Sequence, residues 1–195
     1  MNFKEIVKQK EKELLLKNFI DLRKNINSPD STYKIRNYCN KYNFDIKEVQ
    51  KRIFTNDIIA SFFIKDPFKQ NFIEDLISNL LGIKKLPQMG KNCIRFDREG
   101  NICSEKSIAM TKSADFIIKS AFITQKYTSN QGGAQDNQFQ DVVNFLNAGS
   151  IKNKVGALLD GEYWEEKRSV LKAYYKTNEN VIILCMDDLL GGIRW

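Results

Sequence analysis

Residues 113–126 read Ser-Ala-Asp-Phe-Ile-Ile-Lys-Ser-Ala-Phe-Ile-Thr-Gln-Lys, two β-favouring runs separated by a small polar break. β-branched and aromatic residues at this density predict two strands, and a turn at Ser120-Ala121 predicts an antiparallel hairpin. Folded about that turn, the hairpin sets Asp115 opposite Lys126. A carboxylate facing an ammonium is costly to bury unless the two are paired or used. One reading is an exposed cross-strand ion pair contributing ~0.2–1 kcal/mol. The other is a hydrolytic site in which Asp115 binds a hard cation and Lys126 orients a water or stabilises developing charge.

Downstream, the break Gly132-Gly133 precedes a helix from about Asp136, with Phe139, Val142, Val143 and Leu146 on one stripe. Val155–Leu159 reads as a strand ending in Asp160-Gly161, residues 163–175 as an amphipathic helix, and Val181–Cys185 as a buried strand before a tail, Asp187–Leu190. Upstream, Pro67 opens a helix with Phe68, Phe72, Ile73, Leu76, Ile77 and Leu80 inward and Gly82 at its end, leaving Glu74 off the stripe. Cys93–Phe96 and the run from Ile102 are short strands around a turn at Asp97–Asn101. This order predicts an α/β (α+β) fold with a mixed central sheet.

The first third is different. A helix over 2–26 carries Leu15, Phe19, Leu22 and Ile26 and ends at the breaker cluster Asn27-Ser28-Pro29. Ser31 or Thr32 caps a second helix with Ile35 and Tyr38, and Asp45 caps a third with Ile46, Val49 and Ile53 inward. Two helices joined by a tight turn suggest a helix-turn-helix with Lys47, Gln50, Lys51 and Arg52 on its reading helix. Residues 1–65 hold 14 Lys and Arg against 8 Asp and Glu, and residues 66–195 hold 17 against 16. Most of the net charge of +7 therefore sits in a basic helical region, 1–65, joined to a near-neutral body, 66–195. That asymmetry is what a polyanion-binding arm would look like, the other reading being an AT-rich genome that inflates lysine and asparagine throughout. Tyr33, Tyr38 and Tyr42 lie among these charges, where stacking on bases and core packing are both open, and Phe44 is expected in the core.

Composition removes whole mechanisms. The 195 residues include no histidine, which excludes His-based triads, His-metal sites and classical zinc fingers. Hydrolysis would have to run on carboxylates, lysine, amides and an oxygen-loving cation such as Mg²⁺. The four cysteines have no C-x-x-C spacing and read as reduced thiols. No apolar run approaches the ~18 residues of a membrane span, so a soluble, cytoplasmic protein is expected.

Lys112-Ser-Ala-Asp115-Phe, Thr124-Gln125-Lys126 and Gly132-Gly-Ala-Gln135-Asp-Asn-Gln138 together resemble the catalytic core of type II restriction endonucleases of the PD-(D/E)XK superfamily. The end of the chain, Val181-Ile-Ile-Leu-Cys-Met-Asp-Asp-Leu-Leu-Gly-Gly, is similar to the end of type IIS cleavage domains. The resemblance covers residues 67–190 and implies an αβββαβ core. It also implies Asp115 as metal carboxylate, Lys126 as catalytic lysine, Glu74 as the acidic residue of the first core helix, Mg²⁺, double-stranded DNA, and a cognate DNA methyltransferase as partner. Cutting both strands with one site per chain implies a homodimer.

The sequence departs from that pattern at Thr124, where the family has Asp or Glu. The ligand role then passes to Gln125, by its side-chain or main-chain carbonyl, or to Glu74. A one-residue slip in hairpin register decides whether Thr124 or Gln125 shares a face with Asp115. Gln135 and Gln138 are expected to face the site, contacting DNA or fixing the lysine, with Asp141 in solvent on the far side. Asp160 with Glu165-Glu166-Lys167 repeats the letters of the motif at helical spacing and is expected to be a solvated face. The competing reading is a helix-turn-helix DNA-binding regulator or a non-cleaving relative of the nucleases.

Overall fold

The computed structural model describes residues 1–67, 71–104, 110–128 and 135–192. The chain divides into two compact units, Met1 with Glu5–Phe72, and Asn2–Lys4 with Ile73–Trp195. Among the described residues no helix is long and apolar enough to cross a membrane. All four cysteines are free thiols, Cys39 and Cys93 buried, Cys103 and Cys185 half-buried.

The first unit is helical: α1 Phe3–Lys24, α2 Pro29–Tyr42, α3 Ile46–Thr55 and α4 Asp57–Ser61. Pro29 starts α2 instead of breaking the chain, because at the first helical position its missing N–H costs nothing. The cap is accordingly Ser28, whose Oγ accepts the Ser31 N–H, rather than Ser31 or Thr32. Asn43 ends α2 in the left-handed region at φ 56°, and Asp45 Oδ1 accepts the Glu48 N–H at 2.9 Å to open α3. Leu22, Ile26, Ile35, Cys39, Val49, Ile53, Ala60 and Phe63 form the core. Ile46 and Phe44 were expected inside and are 36% and 53% exposed. The residues flanking the Asp45 cap are turned outward by it, and Phe44 stacks on Tyr38 at 5.9 Å instead. Tyr38 is half-buried, and Tyr33 and Tyr42 are exposed.

In the second unit α5 covers Phe72–Leu81 and ends at Gly82, φ +63°. The helix begins later than Pro67 predicts, and Phe68 lies outside the described residues. β1 (Arg95–Phe96) and β2 (Ile102–Cys103) form an antiparallel ribbon around the Asp97–Asn101 turn. The ribbon is separate from the central sheet, and Thr111 takes the free backbone of Phe96, donating its N–H to the carbonyl and accepting the Phe96 N–H on Oγ1. The four-stranded sheet runs β3 (Phe116–Ile118), β4 (Ala121–Tyr127), β5 (Val155–Asp160), β6 (Val181–Leu184). β3 and β4 are antiparallel and the others parallel, a mixed sheet in an α+β unit.

Parallel neighbours need crossover helices, here α6 (Gln135–Gly149) and α7 (Glu162–Tyr174). Val142, Phe145 and Leu146 of α6 and Trp164 and Leu171 of α7 share one core with Val155, Ala157, Leu159 and Ile183. A Cβ at Gly149 would meet Val155 at 2.5 Å and Phe96 at 2.7 Å, so only glycine lets the end of α6 close on the sheet. The expected C-terminal tail is a helix, α8 (Met186–Leu190), which anchors buried Met186. Asp187 Oδ1 there accepts the Phe3 N–H at 2.7 Å.

Candidate active site

The β3–β4 register decides the site. Phe116, Ile117 and Ile118 pair with Ile123, Phe122 and Ala121, so the turn is Lys119-Ser120, both in the left-handed region at φ 44° and 68°. Such two-residue turns follow the natural twist of the strands. Thr124, not Lys126, therefore lies opposite Asp115. The ion pair read across a turn at Ser120-Ala121 is corrected by two residues, which preserves the face of every side chain on β4.

Asp115 sits where the hairpin ladder stops. Its N–H still donates to Ile123 O at 2.7 Å, but the next β4 N–H that points towards β3 belongs to Gln125 and is accepted by Asp115 Oδ2 at 2.6 Å. Thr124 Oγ1 donates to the same oxygen at 3.4 Å. Oδ1 accepts from Gln88 Nε2 at 2.7 Å. Gln88 is held in turn by Ser113, whose hydroxyl donates to Oε1 at 2.6 Å, and by Arg95 Nη2, which donates to its carbonyl at 2.8 Å. The carboxylate is thus buried, 5% exposed, and oriented by three donors. Gln88 and Ser113 are site residues that sequence reading missed, because they come from a segment without a periodic signal.

Glu74, on the first turn of α5, is half-buried. Burial pushes its carboxyl above the usual range, the charge of Asp115 pushes it further, and Lys85 and Lys126 draw it down. Glu74, Asp115 and Lys126 therefore share one electrostatic neighbourhood. Lys126 is half-buried near the end of β4, with Leu159 as its β5 partner. Gln125 meets Asp115 only through its main-chain N–H. Strand alternation sends its side chain to the face away from Thr124 and Lys126, where Nε2 is buried without a partner among the described residues. The expected side-chain ligand role of Gln125 is corrected on that ground.

Gln135 and Gln138 of α6 both have hydrogen-bond partners within the fold. Gln138 Oε1 accepts from Thr128 Oγ1 at 3.2 Å, and that oxygen accepts from Trp164 Nε1 at 3.2 Å, which fixes the end of β4 to both crossover helices. Gln135 is buried, and its carbonyl accepts from Tyr163 Oη at 3.3 Å. Asp141 was expected in open solvent but is half-buried and lines a cavity. Glu165 and Glu166 are exposed as expected, whereas Asp160 is buried, 5% exposed, with Oδ1 accepting the Met186 N–H and Oδ2 without a partner among the described residues. It closes the buried strand β5, which removes it from the solvated face read from the letters.

In the first unit Lys47, Lys51 and Arg52 are exposed on α3, Gln50 is half-buried, and Arg52 pairs with Glu48 at 2.8 Å. Comparison with known proteins found no matching family model, no similar curated protein and no similar solved structure.

Among the described residues no cluster of three or more acidic or thiol side chains gathers at one point. Mg²⁺ does not require one: it is commonly held by one or two carboxylates, with waters and substrate phosphates completing the shell. A buried carboxylate, Asp115, beside a half-buried one, Glu74, whose proton affinity it raises, with no thiol or imidazole beside them, forms a donor set that suits a hard cation.

Proposed function

We propose that this chain is a Mg²⁺-dependent endonuclease of the PD-(D/E)XK type that cuts double-stranded DNA. The observation that carries the reading is Asp115, a buried carboxylate fixed by three donors at the end of the β3–β4 ladder and near enough to Glu74 for its charge to raise that carboxyl, with Lys126 on the Thr124 face of β4. Asp115 and Glu74 would hold the cation, which supplies Lewis acidity towards the scissile phosphate and an activated water. Gln88, Gln125 and Thr124 fix Asp115 so that no reorganisation is needed at the moment of reaction. Lys126 places a positive charge beside the two carboxylates, where it stabilises charge developing on phosphate oxygens. A restriction-endonuclease fold, a homodimer that cuts both strands, and a partnered methyltransferase belong to the same proposal.

The test is incubation of purified chain with plasmid and phage DNA in Mg²⁺ or EDTA. Discrete Mg²⁺-dependent fragments are expected, lost in Asp115→Asn and Lys126→Ala while binding persists. Unchanged cutting by Asp115→Asn would sink the site assignment.

A second reading, a DNA-binding regulator or non-cleaving relative, is favoured by one feature. Thr124 stands opposite Asp115 and already donates to it, so the family's second carboxylate has no counterpart on β4. DNA that shifts equally in EDTA and is never cut would select this reading.

A further inference from the structure

Gln88, which holds Asp115 Oδ1, also lines a cavity of about 840 Å³ in the second unit. Its other walls include Arg98 and Lys112, and Asp141, Asn144 and Asn147 from one edge of α6. Those three residues fall at i, i+3 and i+6, a polar stripe alongside the buried Val142, Phe145 and Leu146.

The free hydrogen-bonding capacity of this stripe is specific. Asn144 Oδ1 accepts from Gln140 Nε2 at 2.9 Å, and Asn147 Oδ1 accepts from Tyr175 Oη at 2.6 Å. Neither asparagine NH₂ donates to a described residue, so both remain available as donors. Arg98 and Lys112 make no ion pair with any described residue. Against these donors stands one carboxylate, Asp141. An arginine without an ion-pair partner beside a carboxylate complements the major-groove edge of a G·C pair, where guanine offers O6 and N7 to a guanidinium and cytosine offers N4–H to a carboxylate.

We infer that this cavity reads a G·C base pair by its major-groove edge, with Arg98 on guanine O6 and N7, Asp141 on cytosine N4–H, and Lys112 on a neighbouring phosphate. The inference rests on the double-stranded DNA part of the proposed function. It adds where the sequence is read and which residues read it. Because Gln88 belongs to both the cavity and the Asp115 network, the base reader lies directly beside the candidate scissile position.

The experiment is selection of binding sites from a random duplex library by the full chain in EDTA, where no metal-dependent cleavage runs. It is repeated with Arg98→Ala, Asp141→Asn and Lys112→Ala. A consensus containing G·C is expected, with preference at that pair relaxed about ten-fold by Arg98→Ala and by Asp141→Asn. Lys112→Ala should weaken all sites alike and lower the salt slope by about one. Circular dichroism of each variant shows whether it is folded, and Asp141→Asn keeps the shape of the side chain. A consensus without G·C, or one unchanged by Arg98→Ala and Asp141→Asn, overturns the inference while Mg²⁺-dependent cutting by the unaltered chain still upholds the nuclease reading. Retention of no duplex at low salt overturns both.

Discussion

Asp160 offers a sharp test of the packing around β5. Its carboxyl is pushed from the usual 3.8 up to about 7, chiefly by burial, with the Met186 N–H and Arg168 opposing and Asp187 and Asp188 reinforcing. The fold thus favours the protonated form. The contribution of this group to stability is complete below about pH 4, is lost as pH rises through 7, and is constant above that. At 1.36 kcal/mol per pH unit, the span from 3.8 to about 7 corresponds to ~4 kcal/mol. Asp160→Asn fixes the neutral shape and keeps an oxygen for the Met186 N–H, at a pH-independent cost of ~1–3 kcal/mol for an amide where Oδ2 had no partner among the described residues. Denaturant unfolding followed by fluorescence of Trp164, buried in the same unit, should therefore show the variant gaining several kcal/mol on the unaltered chain between pH 4.5 and 8.5. A stability difference that stays constant across that range would refute the assignment of the buried proton to Asp160.

Three other outcomes are expected. Gln88→Leu removes the donor on Asp115 Oδ1 and should slow single-turnover cleavage about 10- to 100-fold at saturating protein, the usual effect of losing such a supporting partner. Lys47→Ala, Lys51→Ala and Arg52→Ala should each weaken DNA binding and reduce its salt slope by about one; titrations between 50 and 200 mM salt check this. Gly149→Ala forces a Cβ against Val155 and Phe96 and should cost ~1–3 kcal/mol, read as an earlier unfolding midpoint.

Element order and most element boundaries were legible because the second unit keeps its periodicities clean. Phe139, Val142 and Leu146 mark α6, and the unbroken apolar run 155–159 marks a strand buried on both faces. The Asp45 cap was equally readable, since its side chain acts within its own turn. What failed depended on choices one or two residues wide. A hairpin turn at 119–120 and one at 120–121 look alike in sequence, yet they exchange Thr124 for Lys126 opposite Asp115. Pro29 fits a helix stop and a helix start equally well until Ser28 is seen accepting the Ser31 N–H. Gln88 and Ser113 had no signature at all: Gln88 reaches Asp115 from 27 positions away and Ser113 reaches Gln88 from 25, through side chains whose spacing obeys no period. Asp160 misled for the opposite reason, since its neighbours in sequence are solvated while it closes a buried strand.

The bond from Gln125 N–H to Asp115 gives the carboxylate a second employment as a register lock. A hairpin slipped along its axis would leave that amide without an acceptor and carry Asp115 away from Thr124. Under the proposed nuclease reading, a copy with a misthreaded sheet would be inert towards DNA. Whatever chemistry this corner performs, it becomes available only after the sheet has been assembled correctly, so folding itself would act as proofreader for an activity that a cell has reason to keep contained.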